Sequence, residues 1–107
     1  MEKFRDAALQ LKEWTREAGS TPVVYECWAR KTEAEVQTDM NEAHRQVAEE
    51  IDALIAPVGE NWWKYQESYP ELDMYYKDGA HASAAGSDFA AKCIWQTIYT
   101  DLQRRSL

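Results

Sequence analysis

No run of this 107-residue chain approaches the roughly twenty apolar residues that a membrane-crossing helix requires. Charged residues also interrupt MEKFRDAALQ where a signal peptide would need its apolar core, so no export address is read and the cytoplasm is the default expectation. Positive charge is scarce: twelve Lys and Arg face nineteen Asp and Glu, a net charge of −7. Such a field repels phosphate backbones and anionic headgroups, which argues against nucleic acid and membrane surfaces as partners. Cysteine is limited to Cys27 and Cys93, and neither has a second Cys or a His at metal-ligand spacing. They read as small buried hydrophobes, with a disulfide between them as the open alternative. His44 and His81 are too isolated for a local zinc motif, and no cofactor is expected. Repeats, low-complexity tracts and linkers are missing too, which leaves one domain over residues 1–107.

What remains is a chain able to build a core, with 45% hydrophobic residues, five Trp and six Tyr. Phe4, Ala7, Ala8, Leu11, Trp14 and Ala18 recur at three- and four-residue spacing and predict an amphipathic helix over residues 2–18, stopped by Gly19. VVYECW (23–28) is a short β-branched and aromatic run, the signature of a buried strand. A second helix starts either at Thr32, which forms a capping box with Glu35, or at Thr38, and carries Met40, Ala43, Val47 and Ile51 on one face. ALIAP (53–57) reads as a second strand closed by Pro57 and Gly59. Strand, helix, strand in this order is a βαβ unit. Residues 60–77 read as aromatic and irregular around Pro70. Ser83 then caps a long helix over 84–104, with Phe89, Ala90, Cys93, Ile94, Ile98 and Leu102 inward and Arg104 and Arg105 closing it against its dipole. Two parallel strands with three helices leave unpaired sheet edges, as in half of a larger fold.

In YYKDGAHASAAGSDFAA (75–91), an acid and a histidine stand three residues apart ahead of a small-residue helix start. This stretch resembles the last sequence block of the SGNH hydrolases, the GDSL esterase and lipase superfamily. VVYECWAR (23–30) and VAEEIDALIAPVGENWWKY (47–65) are similar to the strand, helix, strand and Pro-Val-Gly turn that precede that block in a bacterial branch of the superfamily. The resemblance implies an α/β chain forming the C-terminal half of a flavodoxin-like, three-layer SGNH hydrolase fold. It makes His81 the general base, Asp78 the acid that orients it, and a small acyl ester or acylated carbohydrate the substrate. A carboxylate three residues from an imidazole, on a turn eased by Gly79, can reach Nδ1 and leave Nε2 free for a nucleophile. Gly86 fits a close backbone approach by the last helix.

The Gly-Asp-Ser block and the oxyanion-hole residues of that superfamily are missing. Ser20, Ser68, Ser83, Ser87 and Ser106 are the available serines, and none follows Gly-Asp. The isolated chain is therefore expected to hydrolyse esters very poorly, unless a serine-bearing half completes it. The bland reading of Asp78 and His81 is a polar turn before a helix. Trp62, in the cluster with Trp63, Tyr65 and Tyr69, is a candidate substrate wall, against the commoner role of aromatics as core or interface packing. Glu33 with Glu35, and Glu49 with Glu50, read as solvated helix charge, and His44 as a helix-flank residue. The rival to the hydrolase reading is a non-catalytic module that self-associates through the exposed edge of strand 23–28, giving a homo-oligomer.

Overall fold

The computed structural model describes residues 2–106 as a mixed α/β chain with four helices and a two-stranded parallel sheet. Helix α1 (Glu2–Ala18) leads through Gly19 to strand β1 (Val23–Tyr25). A 3-10 turn (Ala34–Val36) runs into α2 (Gln37–Glu50), followed by β2 (Leu54–Ala56), α3 (Val58–Ser68) and α4 (Ala84–Arg105). β1 and β2 pair in parallel with Val23 beside Leu54, Val24 beside Ile55 and Tyr25 beside Ala56.

Alternation along the strands separates two apolar clusters. Val23 packs with Ala56, Val58, Trp62, Met74, Tyr75 and Ala90 on the α3 and α4 side. Val24 packs with Ala8, Val47 and Ile51 on the α1 and α2 side. Gly19 ends α1 at φ +71°, where a side chain would be strained. Both cysteines are free, so the disulfide alternative is set aside, and neither is the small buried hydrophobe expected: Cys27 is exposed and Cys93 half-buried.

Four further sequence expectations are corrected. The ladder stops at Tyr25 rather than running to residue 28, because Pro57 ends β2 without an N–H to offer and the Glu26 carbonyl instead accepts Gly59 N–H at 3.0 Å. Neither Thr32 nor Thr38 caps α2. Thr32 lies in the preceding turn and Thr38 inside the first helical turn, while the helix starts at Gln37, whose side chain ties down the loop after β1. The aromatic stretch expected to be irregular begins with α3: Pro57 presets its entry, Val58, Gly59 and Trp62 form its buried face, and Pro70 lies just past its end. Finally, not all of the stripes on α1 and α4 face inward. Phe4, Leu11 and Trp14 on α1 and Leu102 on α4 are exposed.

α4 begins as expected, with Ser83 Oγ accepting Gly86 N–H at 3.2 Å. Gly86 is a position of close approach: a Cβ there would lie 2.2 Å from the Met74 carbonyl oxygen and 2.6 Å from the Trp62 ring.

Candidate functional site: the Asp78–His81 turn

Residues 74–83 fold back on themselves as a tight loop. Tyr75 and Ala82 form an antiparallel bridge, Tyr76 N–H donates to the His81 carbonyl at 2.7 Å and Ser83 N–H to the Met74 carbonyl at 3.0 Å. At its tip Gly79 takes φ +70° and donates its N–H to the Tyr76 carbonyl at 2.9 Å. Asp78 Oδ1 accepts the N–H groups of Ala80 and His81, each at 2.9 Å, which fixes the carboxylate in an Asx-type turn. Its other oxygen, Oδ2, meets His81 Nδ1 at 2.5 Å. With Nδ1–H given to the carboxylate, the neutral imidazole carries its lone pair on Nε2. The contact with His81, aided by the two backbone N–H groups, holds the Asp78 carboxyl down to about 2, so it is ionised at neutral pH.

The turn is anchored to the loop that leaves the carboxyl end of β1. Lys31 N–H donates to the Gly79 carbonyl at 2.9 Å, and Trp28 Nε1–H donates to the Ala80 carbonyl at 2.9 Å. An ion pair from Lys31 to Asp73 at 3.8 Å adds a second strap. Trp28 in turn stacks on Trp62, ring centroids 4.3 Å apart and planes within 8°. Trp62 is fully covered, with Tyr75 and Phe89 edge-on to it. This corrects its candidacy as a substrate wall: its ring is buried beneath the turn, where it supports Trp28. Tyr75 completes the base of the turn by donating its hydroxyl to the Ala29 carbonyl at 2.5 Å, and burial pushes its phenol up to about 12.

Two further residues shape this end of the sheet. Gln37 Oε1 accepts from Ala29 N–H at 2.7 Å and Trp63 Nε1–H at 2.9 Å, while its Nε2 donates to the Cys27 carbonyl at 3.0 Å. Glu26 is fully buried. Its Oε1 accepts Glu60 N–H at the start of α3 at 2.6 Å, and its Oε2 has no partner. Burial raises the Glu26 carboxyl, opposed by that N–H. Neither role was legible from periodicity, because the groups these side chains meet are remote along the chain; a carboxylate inside the apolar run VVYECW is the one signal that could have pointed to Glu26.

Among the described residues, no hydroxyl is hydrogen-bonded to His81, and no group of three His, Cys, Asp or Glu side chains converges as for a metal. Ser83 Oγ, the nearest serine in sequence, donates to the Asp73 carbonyl and caps α4. The His81 side chain is 84% exposed, so its Nε2 stands in solvent rather than in a closed cleft. The arrangement orients an imidazole through a carboxylate and leaves Nε2 facing outward, but among the described residues no nucleophile is hydrogen-bonded to it. Comparison with known proteins gives no match to a protein-family model, a curated protein or a solved structure.

Proposed function

We propose that this chain supplies the acid–base half of an SGNH-type ester hydrolase, with His81 as general base and Asp78 as the residue that orients it. The observation that carries the reading is the Asp78 carboxylate, fixed by two backbone N–H groups and in contact with His81 Nδ1. A serine from a segment outside these 107 residues would give its Oγ proton to His81 Nε2 as it attacks the carbonyl of an acyl ester. His81 would then return that proton to the departing alkoxide, and repeat both steps with water to release the acid. Asp78 stays ionised throughout, opposing the positive charge on the ring. The substrate class, a small acyl ester or acylated carbohydrate, rests on the resemblance to the superfamily. Exposure of His81 fits a site whose other wall comes with the serine.

The test uses the chain as recovered from its native cells together with whatever it holds there. A fluorophosphonate probe should label a serine in that assembly, and His81→Ala should lower the labelling rate by at least about a hundredfold. An assembly with no fluorophosphonate-reactive serine, or labelling indifferent to His81, removes the hydrolase reading. The exposed apolar flank beside β1 would then favour the interaction-module reading.

A further inference from the structure

β1 is an edge strand, and the flank beyond it is open in both helical layers. The bonds from Leu54 N–H to the Pro22 carbonyl and from Glu26 N–H to the Ala56 carbonyl direct Pro22, Val24 and Glu26 toward β2. By the alternation of a parallel ladder, the N–H and C=O groups of Val23 and Tyr25 are directed the other way, where the Tyr25 carbonyl meets the Cys27 thiol in a long contact of 3.7 Å.

In one layer α1 rests chiefly on α2. Arg5 reaches Glu50 at 2.7 Å, Lys12 reaches the Glu50 carbonyl at 2.8 Å, and Ala8 enters the cluster with Val47 and Ile51. Helical spacing turns Ala7, Leu11, Trp14 and Ala18 onto the adjoining flank, with Phe4 at its margin, edge-on to His44 of α2. Leu11 and Trp14 remain 49% and 57% exposed. In the other layer α4 lies against β2, where Cys93, Thr97 and Thr100 line a groove with Leu54 and Ile55, and Arg105 reaches Thr21 ahead of β1. That placement leaves Trp95 and Leu102, 61% and 54% exposed, on the β1 side.

The whole chain is also more open than a compact monomer of its mass. It exposes 7400 Å², against roughly 6,100 Å² for a compact monomer of its mass. Its radius of gyration is 15.0 Å, against about 13 Å for a compact domain of this length.

We propose that this flank is a slot for one β-strand of another polypeptide, apolar on both of its faces, which pairs with the free edge of β1. Extended backbone is what satisfies a row of outward N–H and C=O groups, and helices overhanging both layers demand apolar side chains above and below. Exposed parts of Phe4, Leu11, Trp14, Tyr25, Trp95 and Leu102 offer roughly 600–700 Å², taking about 150–250 Å² for a whole large side chain. With the strand edge itself this approaches the ~800 Å² per partner of a standard interface. Direct pairing of β1 with its own copy is disfavoured by spacing. Paired strands lie about 4.8 Å apart, whereas packed helices need about 8–10 Å, and the overhanging α1 helices of two copies would compete for one space.

The test uses the isolated full chain and a soluble probe, an acetylated peptide of seven Val, Ile and Leu residues flanked by lysine pairs. Saturable binding is expected, with slowed amide exchange at Val23 and Tyr25. Methylating alternate peptide nitrogens along one edge should weaken binding at least about tenfold, because that edge can no longer donate. Tyr25→Pro removes the outward N–H while sparing the β2 ladder and should weaken binding similarly. Trp14→Glu, a change on an exposed helix surface, should do the same in a chain whose far-ultraviolet circular dichroism is unchanged. Equal binding by the methylated peptide, or no protection at Val23 and Tyr25, overturns the proposal. So does a dimer in sedimentation equilibrium that Tyr25→Pro dissolves, since the occupant is then a second copy. No step depends on ester hydrolysis, so this inference and the hydrolase reading fail separately.

Discussion

A buried carboxylate with one oxygen unpartnered costs free energy that the rest of the fold must offset, and Glu26 is such a group. Its pKa is raised in the folded chain, so folding takes up a proton there as the pH falls. The penalty is therefore largest above its folded pKa and is relieved as the pH drops through it. Glu26→Gln keeps an acceptor for Glu60 N–H and removes the charge. Urea unfolding at pH 7.5 should show a gain of about 1–2 kcal/mol that shrinks toward acid pH. Asp78 has the opposite sign. Its carboxyl is depressed to about 2, so its contact with His81 persists above the unfolded carboxylate range and is lost only as the pH falls through about 2. Carboxyl-carbon NMR should follow that low midpoint and show it rising in His81→Ala. The Asp78–His81 pair was legible because both partners lie within one four-residue turn. Gln37 and Glu26 were not, because each acts on backbone groups brought to it by the crossover from β1 through α2 to α3.

Among the elements, α3 shows where local reading failed. Its aromatic residues suit strands and loops by propensity, and Pro70 suggested irregular chain, but burial of Trp62 against Trp28 and Phe89 decides the conformation. The same packing makes the glycines of α3 and α4 restrictive. A Cβ at Gly59 would lie 2.0 Å from the Cys27 carbonyl oxygen, and one at Gly86 2.2 Å from that of Met74. Gly86→Ala should cost about 2–4 kcal/mol in urea unfolding and displace the bridge between Tyr75 and Ala82, since α4 would have to retreat from the turn. Helices α1 and α4 were legible as helices from their periodicity. Which part of each apolar stripe stays exposed was not, because periodicity reports a face and not what covers it.

For the whole molecule, the parallel pairing of residues 23–25 with 54–56 followed from strand, helix, strand order, and the surplus surface beside β1 from having only two strands to pair. A chain that exposes this much for its mass should unfold at a lower urea concentration alone than with its β1 edge occupied. Saturating apolar strand peptide should raise the melting temperature by an amount that grows with the logarithm of peptide concentration, as linkage requires. With none of its serines hydrogen-bonded to His81, the isolated chain should show no p-nitrophenyl acetate hydrolysis that His81→Ala abolishes.

The five tryptophans are distributed so that each indole N–H reports on a different part of the molecule. Trp28 donates to Ala80 and Trp63 to Gln37, so their protons should exchange slowly and mark the integrity of the turn and of the loop after β1. Trp62 is sealed from water with its N–H unpaired, which sets its resonance apart from the bonded ones. Trp14 and Trp95 are exposed, on α1 and α4, and should exchange fast until something covers them. One two-dimensional ¹H–¹⁵N spectrum of the uniformly ¹⁵N-enriched chain thus reads the turn, the core and both walls of the proposed slot at once, with no side chain substituted and no probe attached.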